Sequence, residues 1–245
     1  AWFGELLERQ GLSVLSCGRT TKLRPADLAN QCEVVVISVP VATTLAVIEE
    51  IGPLMAETGL LMDVTSLKKA PLEAMLRHST CEVVGLHPLL GPEAGFNSGG
   101  TVVVCRGRGE KGFAWITHIL RQRGFTVAVL GPDEHDRLMG LVQGTNHFAT
   151  LALARTLISS GWNLETLRRY STHTFQERLE RIKFMTEQPM ELFRSLLLDN
   201  PGTAEFVDRY LEAGRWLGEI IRTGDGQLFA DFFQSVRRFF GEEKP

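Results

Sequence analysis

The sequence lacks the features that would indicate disulfides, a membrane span or a nucleic-acid surface. Only 4 of its 245 residues are cysteine, and no two form a Cys-x-x-Cys pair, which argues against a disulfide framework or a cysteine zinc site. No apolar run reaches bilayer length. A net charge of −3 gives no reason to expect nucleic acid or a membrane surface as a partner. The cysteines lie in or beside strand-like runs, so we expect small buried hydrophobes in a reduced, cytoplasmic protein.

A strand before the first helix is also missing. Residues 1–11, AWFGELLERQG, are amphipathic and have neither a cap nor an initiator Met before them. In a dinucleotide-binding domain such a helix follows a strand and a glycine-rich turn that holds a pyrophosphate. We therefore expect that the chain begins inside a domain and that this turn precedes Ala1.

What is present divides into two patterns that meet near residue 131. Up to that point, strand-like runs alternate with helical stretches; the runs are LSVLS, EVVVISVP, GLLMDV, CEVVGLH, TVVVC and FTVAVL. This alternation predicts an α/β fold with a doubly wound, mostly parallel sheet. From Pro132 the periodicity is helical, with breaks near Gly161, Pro189, Pro201 and Gly224. The predicted organisation is a Rossmann-like domain over 1–131, N-terminally incomplete, followed by an all-α domain over 132–245.

The segment after LSVLS bears on the choice of cofactor. A domain that binds NAD usually has an acid here for the ribose 2′-hydroxyl, but this chain has Gly18, followed by Arg19 and Thr20. Because a guanidinium can hold a phosphate in a bidentate fork, these residues predict NADP, with NAD still possible. The alternative that needs no ligand is a polar turn with solvated charges; in this topology we favour NADP.

Several polar residues are expected at one edge of the sheet, since ligands of doubly wound folds bind beyond the carboxyl ends of the strands. His87 lies there in VVGLHPLLGPEAG, and Ser66 in LLMDVTSLKK. Ser38, Val39 and Pro40 follow the strand EVVVI and are expected to line the cofactor. Thr65 or Ser66 could simply cap the next helix, or the Ser66 hydroxyl could orient His87.

The helix predicted after Pro132 carries His135, Met139, Gln143 and His147 at intervals of four. These residues would share one face, which is then either half exposed or turned towards a polar cleft; we favour the cleft. The histidines lack the paired carboxylate of a zinc hydrolase, and no Gly-x-Ser-x-Gly elbow is present. We therefore expect no metal site.

Taken together, these segments resemble one family, the prephenate and arogenate dehydrogenases of tyrosine biosynthesis. The shared segments follow the family's order; they are EVVVISVP, LLMDVTSLKKAPLEAML, VVGLHPLLGPEAG, DEHDRLMGLVQGTNHFATLA, ELFRSLLLDNPG and FADFFQSVRRFFG. The resemblance implies an NAD(P)-dependent oxidative decarboxylation and a homodimer built by the helical domain. It assigns His87 as acceptor for the substrate 4-hydroxyl, Ser66 as the residue that orients it, and His147, with Gln143 on the same face, as a substrate contact.

One position departs from the family pattern. Many prephenate-specific members carry an arginine before ELFRSLLLDN that holds a substrate carboxylate, and an ungapped comparison places Phe184 there. Lys183 and Arg181 are the candidate replacements. The segments HPLLGPEAG and LLLDNPG look closer to arogenate-type enzymes, which often use NADP. A 4-amino analogue of prephenate is a further possible substrate.

Two other classes remain open at this point. One is the group of 3-hydroxyacid dehydrogenases and imine reductases, which shares the architecture. Its hydroxyacid dehydrogenases use a lysine on the first long helix of the second domain, but residues 138–155 contain none. The other class is a non-catalytic dinucleotide-binding protein.

Overall fold

The computed structural model of the protein describes residues 2–18, 20–90 and 99–241. Five strands and five helices alternate in the first half; they are α1 (Trp2–Glu8), α2 (Pro25–Gln31), β1 (Val34–Ile37), α3 (Val41–Ile51), β2 (Leu60–Asp63), α4 (Lys69–His78), β3 (Glu82–Pro88), β4 (Gly100–Arg106), α5 (Lys111–Gln122) and β5 (Phe125–Val129). Within these ranges, none of the helices combines the length and the apolar character that a membrane span requires.

The strands form one sheet in the order β1-β2-β3-β4-β5. Neighbours are parallel except β3 and β4, which are antiparallel. Apolar side chains cover both faces: α1 and α5 pack on one, α3 and α4 on the other. Strands buried on both sides explain the near-continuous Val, Ile and Leu runs. The prediction of a doubly wound, mostly parallel α/β sheet is confirmed.

The strand predicted at LSVLS was wrong. Residues 12–18 adopt no regular structure, although Val14 packs against the core beside α1. An extended segment becomes a strand only when a neighbour takes its backbone hydrogen bonds. The described residues supply no such neighbour, and Leu12 and Leu15 are exposed.

After Pro132 the described chain is helical, as predicted; the α-helices are α6 (Pro132–Met139), α7 (Asn146–Ser159), α8 (Leu164–Arg169), α9 (His173–Glu187), α10 (Met190–Arg194), α11 (Pro201–Thr223) and α12 (Gly226–Gly241). The ends of α11 follow local rules. Pro201 starts the helix, Asn200 caps it by accepting from the amide of Gly202 at 2.9 Å, and Gly224 ends it at φ 67°. Whether 1–131 and 132–245 are separate domains stays a prediction.

The helix predicted to run on from Pro132 is interrupted. A π-helical turn, Gly140–Thr145, separates α6 from α7. It crosses α11 so closely that a Cβ on Gly140 would lie 2.4 Å from the backbone of Gly202. π-turns are often found at functional sites, and this one carries Gln143.

The helical region turns its apolar residues outward to an unusual degree. Twenty of its large apolar side chains are exposed, against six in the α/β region, within the described ranges. On α6 and α7 the polarity is the opposite of that of an ordinary surface helix: His135 and Met139 are buried, whereas Leu138 and Leu151 are exposed. Exposed apolar side chains in this number make the helical region a candidate surface for contact with another molecule.

The four cysteines are all free thiols, as predicted. Cys81 and Cys105 are buried in the core, and Cys17 and Cys32 are half-buried. Burial is the main cause that raises the pKa of the Cys105 thiol to about 12. The prediction of buried packing residues therefore holds for Cys81 and Cys105, and Cys32 packs against the same core, whereas Cys17 belongs to neither core cluster.

Candidate active site at the sheet edge

The site lies at the carboxyl edge of the parallel strands. Ile37 pairs with Asp63, and Asp63 with Gly85, so β1, β2 and β3 end side by side. His87 stands two residues beyond Gly85 on β3 and is only 3% exposed. The predicted meeting of these strand ends at one edge is confirmed.

The neighbour of His87 comes from the helical region. Its Nδ1 lies 2.8 Å from Nε2 of His135, which is on the buried face of α6. The Nδ1 of His135 lies 2.7 Å from a carboxylate oxygen of Asp136. Gln143, on the π-turn, places its amide nitrogen 3.5 Å from the other nitrogen of His87. A chain of hydrogen bonds thus runs from Asp136 to the mouth of the site.

Asp136 also holds the start of α4. Its two carboxylate oxygens accept from the backbone amides of Lys68 at 2.8 Å and Lys69 at 3.0 Å. The suggested capping of this helix by Thr65 or Ser66 is therefore wrong, because α4 starts at Lys69 and has no side-chain cap of its own. The first amides of α4 are capped instead by Asp136 of α6, and this contact joins the helical region to the α/β region.

Burial would raise the pKa of Asp136, but hydrogen bonds outweigh it. Donors from His135, Lys68 and Lys69 hold the pKa of this carboxyl below its ordinary value. Asp136 is therefore a carboxylate that only accepts hydrogen bonds.

A buried ion pair lies behind the site. Lys68 and Asp63 have fully buried side chains and contact each other directly. Asp63 also accepts from the amide of Thr65 at 3.0 Å and from its hydroxyl. Gly85 leaves the space for this pair, because a Cβ there would approach Cδ of Lys68 to 3.2 Å.

His87 is held neutral by these surroundings. Burial first, then the neighbouring His135 and the positive charge of Lys68, lower the pKa of His87 from 6.5 to about 3, with Asp136 acting in the opposite direction. A neutral imidazole keeps one nitrogen free to accept a proton.

The other predicted substrate residues lie further along. His147, in α7, is half-buried, and its ring contacts the Phe193 ring edge-on, with 5.1 Å between the ring centroids. Burial, and after it the positive charge of Arg181, lower the pKa of His147. Arg181 therefore lies close enough to His147 to interact with it electrostatically. Lys183 is exposed and lies 3.8 Å from Glu187.

Ser66 follows β2, but its hydroxyl has no hydrogen-bond partner in the described parts of the chain; its predicted role towards His87 stays a prediction. Ser38, Val39 and Pro40 follow β1 at the same edge, and the Pro40 carbonyl accepts from the Thr43 amide at 2.9 Å.

The predicted nucleotide-binding turn is only partly described. Gly18 and Thr20 are exposed, and Thr21 closes the turn by donating to the Gly18 carbonyl. Arg19 and residues 91–98, which include the whole GPEAG segment, lie outside the described residues.

Sequence reasoning missed the roles of Lys68 and Asp136 and the pairing of His87 with His135. The signals were present: Lys68 closes DVTSLK, and Asp136 follows His135 in DEHD. These roles become visible only once the fold places α6 against the end of β3, where His135 contacts His87.

The fold and this site define a nucleotide-binding α/β unit joined to a helical unit, with a neutral histidine where they meet. Comparison with known proteins narrows the class. The model of the prephenate dehydrogenase nucleotide-binding domain matches residues 13–102, and that of the prephenate dehydrogenase dimerization domain matches residues 131–235. The chain belongs to the prephenate/arogenate dehydrogenase family, as its motifs predicted.

Individual relatives agree with this assignment. The chain is 31% identical over 240 residues to the T-protein of Haemophilus influenzae, covering 98% of this chain and 64% of that protein. It is 26% identical over 261 residues to a probable arogenate/prephenate dehydrogenase of Methanocaldococcus jannaschii, covering 99% and 58%. The chain thus spans about three-fifths of the length of these curated relatives.

A solved structure shares the fold. Prephenate dehydrogenase from Aquifex aeolicus, in complex with hydroxyphenyl propionate and NAD+, has a TM-score of 0.73 at 20% identity, over 86% of this chain and 77% of that one.

The pKa of His87 leads to a prediction for acid stability. Its value of about 3 in the folded protein lies below the ordinary 6.5. The unfolded chain therefore binds the proton first. This contribution to stability is fully present above about pH 6.5 and is lost as the pH falls towards about 3. In His87→Asn, the free energy of unfolding should fall less steeply between about pH 7 and pH 4 than in the parent, as measured by urea denaturation.

The exposed-site variant His118→Asn is the control and should follow the parent. Parallel curves for the parent and His87→Asn would contradict the assignment.

Proposed function

We propose that the protein catalyses the NAD(P)-dependent oxidative decarboxylation of arogenate or prephenate. The observation that carries this proposal is a buried, neutral histidine at the carboxyl edge of the sheet, facing the helical region. The family provides the substrate class. The chain also lacks a lysine in residues 138–155, which disfavours a 3-hydroxyacid dehydrogenase.

The chemistry assigns His87 one task. The substrate is a cyclohexadienol with a ring carboxylate. Hydride leaves the ring carbon that bears the hydroxyl, and His87 takes the hydroxyl proton. The bond to the carboxylate then breaks, its electron pair enters the ring, and carbon dioxide departs. The phenolate that results takes the proton back from His87. A bound nicotinamide would supply the hydride acceptor. A well-placed base contributes roughly 10²–10⁴-fold to such a step.

The residues present fit a nicotinamide dinucleotide. Near His87, the side-chain oxygen of Gln143 is buried and lacks a partner among the described residues. A bound group with an N–H or O–H donor would satisfy it. At the other end, the exposed turn at Gly18 and Thr20 would receive the adenosine ribose, with Ser38, Val39 and Pro40 lining the path between.

The preference for NADP rests on the sequence of this turn. Gly18 replaces the usual acid, and Arg19 is the proposed partner of the 2′-phosphate. Two acids near the turn oppose the binding of a phosphate: after burial, the charges of Asp27 and Glu50 raise the pKa of the neighbouring Cys17 thiol. Arg24, 3.8 Å from Asp27, offsets part of this negative charge. NAD stays the second possibility.

Arg181 is the better of the two cations proposed for the substrate carboxylate. Both cations are exposed, but the charge of Arg181 acts on His147, the proposed substrate contact, whereas Lys183 lies 3.8 Å from the carboxylate of Glu187. An arginine can also bind a carboxylate in a bidentate fork. We favour arogenate as substrate on the strength of LLLDNPG, with prephenate and the 4-amino analogue as alternatives.

We also propose that two copies associate through the helical region. Its exposed apolar side chains need cover. Phe229 and Phe233 of α12 stack at 6.1 Å between ring centroids while each is nearly half exposed. An open apolar groove of about 580 Å³ beside Trp162 and Tyr170 adds to this surface.

Initial rates of reduced-cofactor formation test the proposed activity. The complete native polypeptide should turn over arogenate, prephenate or both, with NADP preferred to NAD. His87→Asn should bind cofactor as the parent does and lose on the order of 10²–10⁴-fold in kcat. Undiminished turnover in that variant would remove His87 from the mechanism.

Arg181→Gln should raise KM for the substrate about 10-fold or more, because it removes a charge-assisted hydrogen bond worth about 1.5–3 kcal/mol. Lys183→Gln, two residues along the same helix, is the matched control and should leave KM near the parent value. A reversed pattern would assign the carboxylate to Lys183.

Phe233→Glu should convert the protein from dimer to monomer, since a charge on the apolar face opposes its burial. Sedimentation equilibrium would show the mass of one polypeptide in place of two. Leu54→Glu, at an exposed apolar residue of the α/β region, should remain dimeric. A Phe233→Glu dimer as stable as the parent would exclude α12 from the interface.

A further inference from the structure

We propose that Asp136 and His135 form a relay that fixes which nitrogen of His87 is free to accept the substrate proton. Both are positioning residues that act through His87. The inference deepens the proposed function and rests on it, since His87 is the base in that proposal.

The first step of the argument concerns Asp136. Its carboxylate accepts from two backbone amides, those of Lys68 and Lys69, and holds no proton of its own. The 2.7 Å contact with Nδ1 of His135 therefore needs its hydrogen from the imidazole. His135 carries its proton on Nδ1.

The second step follows from proton count. A neutral imidazole has one N–H and one lone pair, so Nε2 of His135 is an acceptor. Across the 2.8 Å contact, Nδ1 of His87 must then donate. The proton of His87 is held on Nδ1, and its lone pair is left on Nε2.

The third step concerns what faces Nε2 of His87. The amide nitrogen of Gln143 lies 3.5 Å away and is a donor. A donor opposite a lone pair is compatible with this tautomer, whereas a donor opposite an N–H would be repelled. A substrate hydroxyl donating to the same nitrogen is received in the same way.

The surrounding charges disfavour a second proton on the pair of imidazoles. His87 is flanked by His135 and by the ammonium of Lys68, which pairs with Asp63. Among the described residues, Asp136 is the acidic group that acts on His87 in the opposite direction. Its two oxygens are already engaged by the α4 amides and His135.

The relay is held by both regions of the protein. The α4 amides fix the carboxylate from the α/β side. Asn200 donates to the carbonyl of Asp136 at 2.9 Å from the helical side. His135 is fully buried, and both of its ring nitrogens are engaged by Asp136 and His87.

The tautomers are read directly by NMR of the native polypeptide labelled with ¹⁵N at histidine. Long-range ¹H–¹⁵N spectra distinguish protonated from unprotonated ring nitrogens. We expect His87 and His135 both to carry the proton on Nδ1 near neutral pH. A proton on Nε2 of His87 would overturn the proposal. This measurement needs no turnover, so it stands or falls separately from the proposed activity.

Variants at His135 separate positioning from packing. His135→Leu removes the acceptor, and we expect the Nδ1 preference of His87 to weaken. The kcat should fall by no more than the roughly 10²–10⁴-fold that a base contributes, with KM almost unchanged. His135→Gln keeps an acceptor oxygen and should recover much of both signals.

Asp133→Asn, in the exposed first turn of the same helix, is the control and should behave as the parent. Equal kcat and equal His87 tautomers in His135→Leu and the parent would contradict the relay. If the substituted proteins fail to fold, the tautomers of the parent still decide the matter.

Discussion

The carboxylate of Asp136 is the point on which this structure depends. It accepts from the first amides of α4, in the α/β region, and from His135, in the helical region. The same contact that joins the two regions therefore sets the geometry around His87. A helix start left without a cap and a histidine without a partner would each carry a penalty. One side chain removes both.

Burial gives this arrangement its chemical value. His87, His135, Lys68 and Asp63 would each be costly in the interior without partners. Each of them has a partner. Two buried oxygens, Oδ1 of Asp63 and Oε1 of Gln143, lack a hydrogen-bond partner in the described residues. The first lies against the buried ion pair. The second lies beside His87, where a ligand would be received.

Much of the fold could be predicted because its signals are local. The alternation of Val-rich runs with amphipathic stretches gave the sheet and its helices, and Pro201 and Gly224 marked the ends of α11. LSVLS failed as a strand because a ladder needs a partner, which no propensity reveals. The π-turn was not predicted, and the close crossing that accompanies it joins Gly140 to Gly202, residues far apart in sequence.

The site was predictable to a similar degree. The edge of the sheet and the place of His87 followed from the rule that ligands of doubly wound folds bind beyond the carboxyl ends of the strands, and the family followed from motifs. The contact between His87 and His135 did not, since 48 residues separate them and only the return of α6 brings them together. His135 was placed on the correct helix face without a partner. Asp136, its neighbour, was overlooked because an acid in a first helical turn is ordinary.

The central claim is an oxidative decarboxylation, and one measurement tests it most directly. Arogenate and prephenate labelled with ¹³C in the ring carboxylate would be incubated with the native polypeptide and NADP. Reduced cofactor and labelled carbon dioxide would be followed together. The account predicts that the two appear in equal amounts with at least one substrate. Reduced cofactor without carbon dioxide, or neither product from a folded protein that binds the cofactor, would contradict it.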